Sequence, residues 1–259
     1  MSMLASNSNA YELTETGNEN GASYEQPRQG RVADGRPNLD LPALYTPVRP
    51  IASRRVSAGT DIIAQGDEAL PYLLVLQGWA APYKCLCDGR RQFFDILIGR
   101  DGMRGLRTSC DSHANLSIVA LTDCWVWQGT LNDLHLLTAS HSGLSFDALQ
   151  AMFIDQHQRT LNRMTVLGHT RAPERVAYCL LELWNRQLGD KAVAGACCPL
   201  PLKQSDIGDA TGLTGVHVCR TLSTFKKLGI LRIEDGQLTV LRPDDLADIA
   251  GTDMIGCIQ

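Results

Sequence analysis

The residues with the most chemistry to offer lie close together in the last quarter of the chain. Arg220 carries a guanidinium whose two parallel donors match the O6 and N7 acceptors of guanine, a pairing worth roughly 1 to 3 kcal/mol of base discrimination. His217 precedes it by three residues, and Thr214, Gly215, Val216 and Cys219 complete the run. Lys203, Ser205 and Lys226 flank it. At the end of a helix that enters the major groove, an Arg and a His reach base edges. The chemistry expected of this set is therefore DNA reading. No Gly-rich phosphate loop, nucleophile elbow or matched metal-ligand spacing occurs in the sequence, so no catalytic residue, metal ligand or cofactor is assigned.

Such a set needs two helices and a tight turn to hold it. A first helix is expected over Gln204–Thr211, with Ile207 and Ala210 turned inward. Gly212 then supplies a turn that only a residue without a Cβ makes cheaply, and Leu213 plugs it from below. Thr214 is a good N-cap for the second helix, since its hydroxyl can accept from the backbone N–H near His217. Val218, Leu222 and Phe225 follow the i, i+4, i+7 rule and face a core. Gly215, Val216, His217, Cys219 and Arg220 are left on the outer face. Two short helices joined at a Gly also occur in small helical domains that bind no DNA, but the segment after this pair favours the DNA reading. Residues 230–233 and 238–241 read as a β-hairpin with Asp235-Gly236 at its tip, which after a recognition helix is a wing. Across 200–232, Lys203, Arg220, Lys226, Lys227 and Arg232 stand against Asp206 and Asp209, an excess of three positive charges on a chain of net charge −4. Local positive charge on a negative protein suits phosphate contact by one face.

At 259 residues, 44% hydrophobic and 20% charged, the chain is long enough for two domains. Its apolar runs are broken within about ten residues, short of the roughly 20 a membrane span needs, and the polar N-terminus has no signal-peptide design. The expected place is the cytoplasm, with no membrane partner. Of the nine cysteines, Cys85 and Cys87 fall in an expected strand on one face and Cys197-Cys198 in an expected loop. Neither pair makes a matched metal spacing, and buried, reduced thiols are the favoured state.

Residues 1–40 are rich in Ser, Asn, Glu, Gly and Gln, and read as a disordered tail. Residues 41–140 alternate short apolar runs with turn residues, the pattern of a small double-sheet roll or barrel with an interior cavity, and Thr130 caps a short helix at its end. Residues 141–170 contain no Pro and repeat Leu149, Phe153, Thr160, Met164 and Leu167 at spacings of threes and fours, with Gln156 in the missing stripe position. One helix of that length has two candidate partners, its own core or a second copy of itself. The second copy is favoured, because a helix-turn-helix of this kind reads two half-sites, with the β domain sharing the burial. Residues 171–259 hold the remaining domain. Its first helix has Pro173 in its opening turn and ends at Gly189; a linker over 190–198, the helix-turn-helix, the wing and a last helix over 243–250 come after it.

In this order, β-roll, long helix and winged helix-turn-helix, the chain resembles the Crp/Fnr superfamily of bacterial transcription regulators over about residues 41–251. The motifs are Gly59-Thr-Asp-Ile-Ile-Ala-Gln-Gly-Asp67, Val75-Leu-Gln-Gly-Trp79, Asp88-Gly-Arg-Arg-Gln-Phe93, Ala120-Leu-Thr-Asp123, Gly212-Leu-Thr-Gly-Val-His-Val-Cys-Arg-Thr-Leu222 and the wing. The resemblance implies an α+β fold: a cupin-like double-stranded β-roll, a long dimerisation helix and a C-terminal winged helix-turn-helix. It implies a homodimer on a two-fold symmetric operator of double-stranded DNA, contact with RNA polymerase, and an unknown small-molecule effector sensed in the roll. Arg220 matches the family's main base-reading Arg, and His217 sits where some members place a second reader.

Three departures stand out. Lys203 replaces the usual capping Thr or Ser, giving up about 1 kcal/mol of cap unless Ser205 or a neighbour substitutes. Cys219 stands where many relatives have Asn, and Val216 where others have a base-reading Glu. The Arg that holds a cyclic phosphate falls at about Ala114, beside Asn115, which makes cyclic AMP an improbable effector; Arg104 and Arg107 are the cations that another loop offers. No Cys precedes Cys85, so an N-terminal iron–sulfur cluster is not expected, and His113 reads as a solvated loop residue rather than a haem ligand. A second function remains open on the same scaffold: an effector-binding or protein-interaction module with lost or altered operator binding, suggested by Gly215, Val216 and Cys219 on the outer face.

Overall fold

Between Ser53 and Gly129 the described chain forms β1 (Ser53–Val56), β2 (Asp61–Ile63), β3 (Tyr72–Gln77), β4 (Trp79–Cys85), β5 (Arg91–Phe93), β6 (Leu97–Ile98), β7 (Asp101–Arg104), β8 (Ser117–Ala120) and β9 (Cys124–Gly129). Helices α1 (Leu131–Ser140), α2 (Phe146–His169) and α3 (Ala172–Leu188) follow. After a 3-10 turn at Gly189–Lys191 come β10 (Cys197–Pro199), α4 (Gln204–Thr211), α5 (Gly215–Lys227), β11 (Leu231–Glu234), β12 (Gln237–Val240) and α6 (Pro243–Ala250). This computed structural model describes residues 53–107, 111–140 and 144–251, so the tail expected over 1–40, Cys110 and Cys257 lie outside the described residues.

The roll has two antiparallel sheets, ordered β1-β9-β3-β7 and β2-β8-β4-β5, with β6 also on β4. The period of two along β3 explains its continuous apolar run. Leu73 and Val75 point into the roll, while Leu74 and Leu76 point out onto the helices. Inside, Leu73, Leu97, Leu106, Ile118 and Val126 are fully buried with Ala114 among them. Cys85 ends its strand and Cys87 lies in the turn beyond; both are exposed, which corrects the expectation of a buried pair. Cys197 is likewise exposed, whereas Cys124, Cys179 and Cys198 are buried.

Helix α2 has 24 residues, about 36 Å at 1.5 Å per residue. Ser145 caps it, its hydroxyl accepting from the Ala148 N–H at 3.0 Å. The stripe expected to pair with a second copy turns out to face this protomer. Leu149 and Phe153 are fully buried against Leu74, Trp127 and Leu134, because the outer face of the first sheet is apolar and α2 is the amphipathic helix available to cover it. Thr160 is half-buried, its hydroxyl accepting from Gln156 Nε2 at 2.9 Å, and Leu167 is half-buried near the Gly212 turn. Met164 remains exposed, and with Ile154 and Leu161 it forms a different outward stripe.

The second sheet is covered by the C-terminal region. Trp79, Tyr83, Phe93 and Ile96 share one core with Val176, Leu180, Trp184, Val218 and Phe225. At its edge lies a set of buried charges. Arg163 on α2 reaches Glu182 on α3 at 2.7 Å and Asp95 at 3.5 Å. Arg186 reaches Glu182 at 2.7 Å and also pairs with Asp101, while Arg159 reaches Asp95 at 3.1 Å and Asp101 at 3.3 Å. Three carboxylates and three guanidiniums thus join roll, long helix and α3. Asp101 further accepts from the Ile98 N–H at 2.7 Å, and Asp95 from the Ile96 N–H at 2.8 Å.

Candidate nucleic-acid interface

Helix α4 covers the span expected for it. Ile207 and Ala210 are buried, and Gly208 lies where the turn folds back: a Cβ there would meet the Leu213 carbonyl oxygen at 2.6 Å. Gly212 closes the helix with φ 66°, in the left-handed region, where a side chain would cost energy. Lys203 gives its helix no side-chain cap. The Asp206 carboxylate supplies the missing bond from the other side, accepting from the Lys203 N–H at 2.8 Å. Ser205, the substitute considered from sequence, is exposed. The side-chain half of the capping box is still missing, so Lys203→Ser is expected to raise stability by about 1 kcal/mol, read as an upward shift of the thermal unfolding midpoint.

Helix α5 starts from Thr214, whose hydroxyl accepts from the His217 N–H at 3.4 Å and lies 3.1 Å from His217 Nδ1. Val218, Thr221, Leu222 and Phe225 form its buried face, each large apolar member contributing roughly 1.5 to 3 kcal/mol. Thr214, Val216, His217, Cys219 and Arg220 are exposed and Gly215 is half-buried, because a helix period of 3.6 places them opposite the core face. Arg220 makes no ion pair among the described residues. Lys226 donates to the Ile233 carbonyl at 3.1 Å and ties the helix to the wing. A groove of about 310 Å³ lies between α4, α5 and β11, floored by Leu200, Ile207 and Leu222, with Lys203, Cys219 and Lys226 on its walls.

The wing pairs Leu231 with Val240 and Glu234 with Gln237. Asp235 and Gly236 both have positive φ, 48° and 72°, as a type I′ turn demands. The stretch expected as a loop over 190–198 is partly a strand: β10 pairs Cys197 with Thr239 and makes a three-stranded sheet. Three residues are too few to show alternation, which is why sequence patterning missed it. The unit is also held to the roll. Arg91 on β5 reaches Asp209 on α4 at 2.8 Å, and Gln92 Nε2 donates to the Asp209 carbonyl at 3.0 Å. Burial raises the Asp209 carboxyl above its usual range, with Arg91 opposing.

A model of the Crp-like helix-turn-helix domain matches residues 174–249, and one of the cyclic nucleotide-binding domain matches residues 53–141. The chain is 30% identical over 230 residues to a probable transcriptional activator of Rhizobium leguminosarum bv. viciae, covering 86% of this chain and 90% of that one. The chain belongs to the Crp/Fnr family. As a Crp/Fnr protein it is a DNA-binding transcription regulator and not an enzyme, and regulators of this family typically act as dimers. It is also 29% identical over 192 residues to the nitrogen fixation regulation protein FixK of Bradyrhizobium diazoefficiens, covering 73% of this chain and 79% of FixK. The structure of FixK2 from Bradyrhizobium japonicum superposes with a TM-score of 0.62 at 29% identity over 76% of this chain and 96% of that one. Among the described residues of this Crp/Fnr chain no helix is long and apolar enough to cross a membrane, and no group of three or more His, Cys, Asp and Glu could hold a metal ion. His113 is an exposed residue whose Nδ1 lies 2.6 Å from Asp111.

Proposed function

We propose that this regulator binds a two-fold symmetric operator as a homodimer, placing the exposed end of α5 in the major groove of each half-site. The observation that carries the reading is the division of α5: Val218, Leu222 and Phe225 are buried while Val216, His217, Cys219 and Arg220 are exposed on one face. Arg220 reads a guanine, Lys203, Ser205 and Lys226 face phosphates, and Thr214 sets the start of the helix. RNA polymerase is the further partner, and the cytoplasm the compartment. Selection of bound sites from a randomised duplex pool by the purified protein tests this. A palindrome with half-site centres about 10 to 10.5 bp apart is the expected product; enrichment of nothing, with or without cell extract, overturns it in favour of an interaction module.

Cyclic AMP is not the effector on this reading. Ala114, where the phosphate-holding Arg would fall, is buried among Leu73, Leu106 and Leu116, and its own side chain offers a cyclic phosphate no charge-assisted bond.

The dimer forms through Ile154, Leu161 and Met164 in place of the inward-facing Leu149 and Phe153. Ile154 and Leu161 are seven residues apart and exposed, the spacing of a helix-pair seam. Leu161→Glu is expected to convert the dimer to monomer at micromolar concentration in sedimentation, with its far-UV circular dichroism unchanged.

A further inference from the structure

We infer that Thr214 is a positioning residue for base recognition: its hydroxyl holds the His217 ring so that Nε2–H, a donor, faces the groove and selects a base edge with an acceptor to offer, rejecting cytosine, whose edge offers only a donor. The inference rests on the DNA-binding reading above.

Thr214 Oγ1 has two partners on one residue, accepting from the His217 backbone N–H at 3.4 Å and lying 3.1 Å from His217 Nδ1. A hydroxyl carries one proton and two acceptor sites. With one acceptor site occupied by the helix N–H, its proton is free for the ring, and a hydroxyl that accepts also donates better. Nδ1 then takes that proton as an acceptor, which leaves a neutral imidazole with its own proton on Nε2. No acidic residue lies in the first turn of α5, and among the described residues no carboxylate pairs with the His217 ring. His217 is exposed, and its free edge carries the Nε2 donor. In the major groove guanine offers O6 and N7, adenine N7 and thymine O4 as acceptors, whereas cytosine offers only its N4 donor. One N-cap thus serves two ends: it starts the recognition helix and sets the hydrogen-bond sense of its second reader.

Three variants separate these roles. Thr214→Ser keeps cap and donor, Thr214→Ala loses both, and Thr214→Asp keeps the cap but only accepts, so it requires Nδ1–H and leaves Nε2 as an acceptor. Each is put through site selection at pH 8.5, above the ordinary imidazole range, beside wild type and His217→Ala. The base position that His217→Ala relaxes identifies the one His217 reads. At that position wild type and the Ser variant are expected to exclude cytosine, and the Ala variant to lose at least fivefold of that exclusion. The Asp variant, whose Nε2 accepts, is expected to admit cytosine. Exclusion of cytosine equal to wild type in both the Ala and Asp variants overturns the inference while leaving DNA reading intact. If Thr214→Asp enriches no site, the Ala and Ser variants decide it. If wild type itself enriches none, the DNA-binding reading fails and takes the inference with it.

Discussion

Arg220→Ala is expected to weaken operator binding by roughly 30-fold at the least. Each guanidinium–guanine pair contributes about 1 to 3 kcal/mol of discrimination, and a two-fold operator contains two. The pair of losses is then about 2 to 6 kcal/mol, which at 1.4 kcal/mol per tenfold spans roughly 30-fold to more than 10⁴-fold. Because Arg220 lies on the exposed face and makes no ion pair among the described residues, its removal leaves the fold intact. Anisotropy titrations against a palindromic and a scrambled duplex at one fixed salt concentration read the effect. The specific duplex is expected to lose most of its advantage, and the base opposite Arg220 to become degenerate on selection. An unchanged ratio of specific to scrambled affinity shows that Arg220 reads no base.

Arg186→Met is expected to destabilise the protein by about 3 to 5 kcal/mol, the usual cost of removing one member of a buried ion pair. Arg186 is nine-tenths buried and pairs with Glu182 and Asp101, and Arg159 and Arg163 are already engaged with Asp95, Asp101 and Glu182. Removing one guanidinium leaves three buried carboxylates facing two. For a chain of this size about 2 to 4 °C accompanies each kcal/mol, so the unfolding midpoint is expected to fall by roughly 6 to 20 °C. The double change Arg186→Met with Glu182→Gln is expected to recover part of the loss. The same set governs acid stability. Burial alone would raise the Glu182 carboxyl, but Arg186 and Arg163 outweigh it and hold it below the usual range. A depressed folded value means that this contribution is fully present above the ordinary Glu value of about 4.3 and is lost as pH falls through the folded value. Stability followed from pH 7 downward is therefore expected to hold to about pH 5 and then decline, more shallowly in the double variant. A midpoint within 2 °C of wild type for Arg186→Met shows that the pairs contribute nothing net.

The interface was legible in the sequence because its signals are local. Thr214 as N-cap, Gly212 at a left-handed turn and the Val218, Leu222, Phe225 spacing all act within a few residues of one another, and backbone sterics with helix periodicity suffice to place Arg220 and His217 outward. The Asp235-Gly236 turn and the Pro243 start with its Gly251 end are local in the same sense. The roll's all-β character was legible as alternation, but not its pairing of β1 with β9, the first strand with the last of that domain.

What only the tertiary structure decided is which surface each amphipathic element meets. Periodicity states that α2 has an apolar stripe; it does not state whether the stripe meets this chain's roll or another chain. The apolar outer face of β3 and β9, with Leu74, Leu76 and Trp127, claims Leu149 and Phe153, and that leaves Ile154, Leu161 and Met164 as the exposed side. The buried set of Asp95, Asp101, Arg159, Arg163, Glu182 and Arg186 is spread along the chain from the roll to α3, where each member reads in sequence as an ordinary solvated charge. Only folding brings them within hydrogen-bond distance in a place from which water is excluded, and there a charge needs a partner. Sequence determined the candidate reading helix and which of its side chains face outward; the packing of roll, long helix and winged unit determined what that helix is held against.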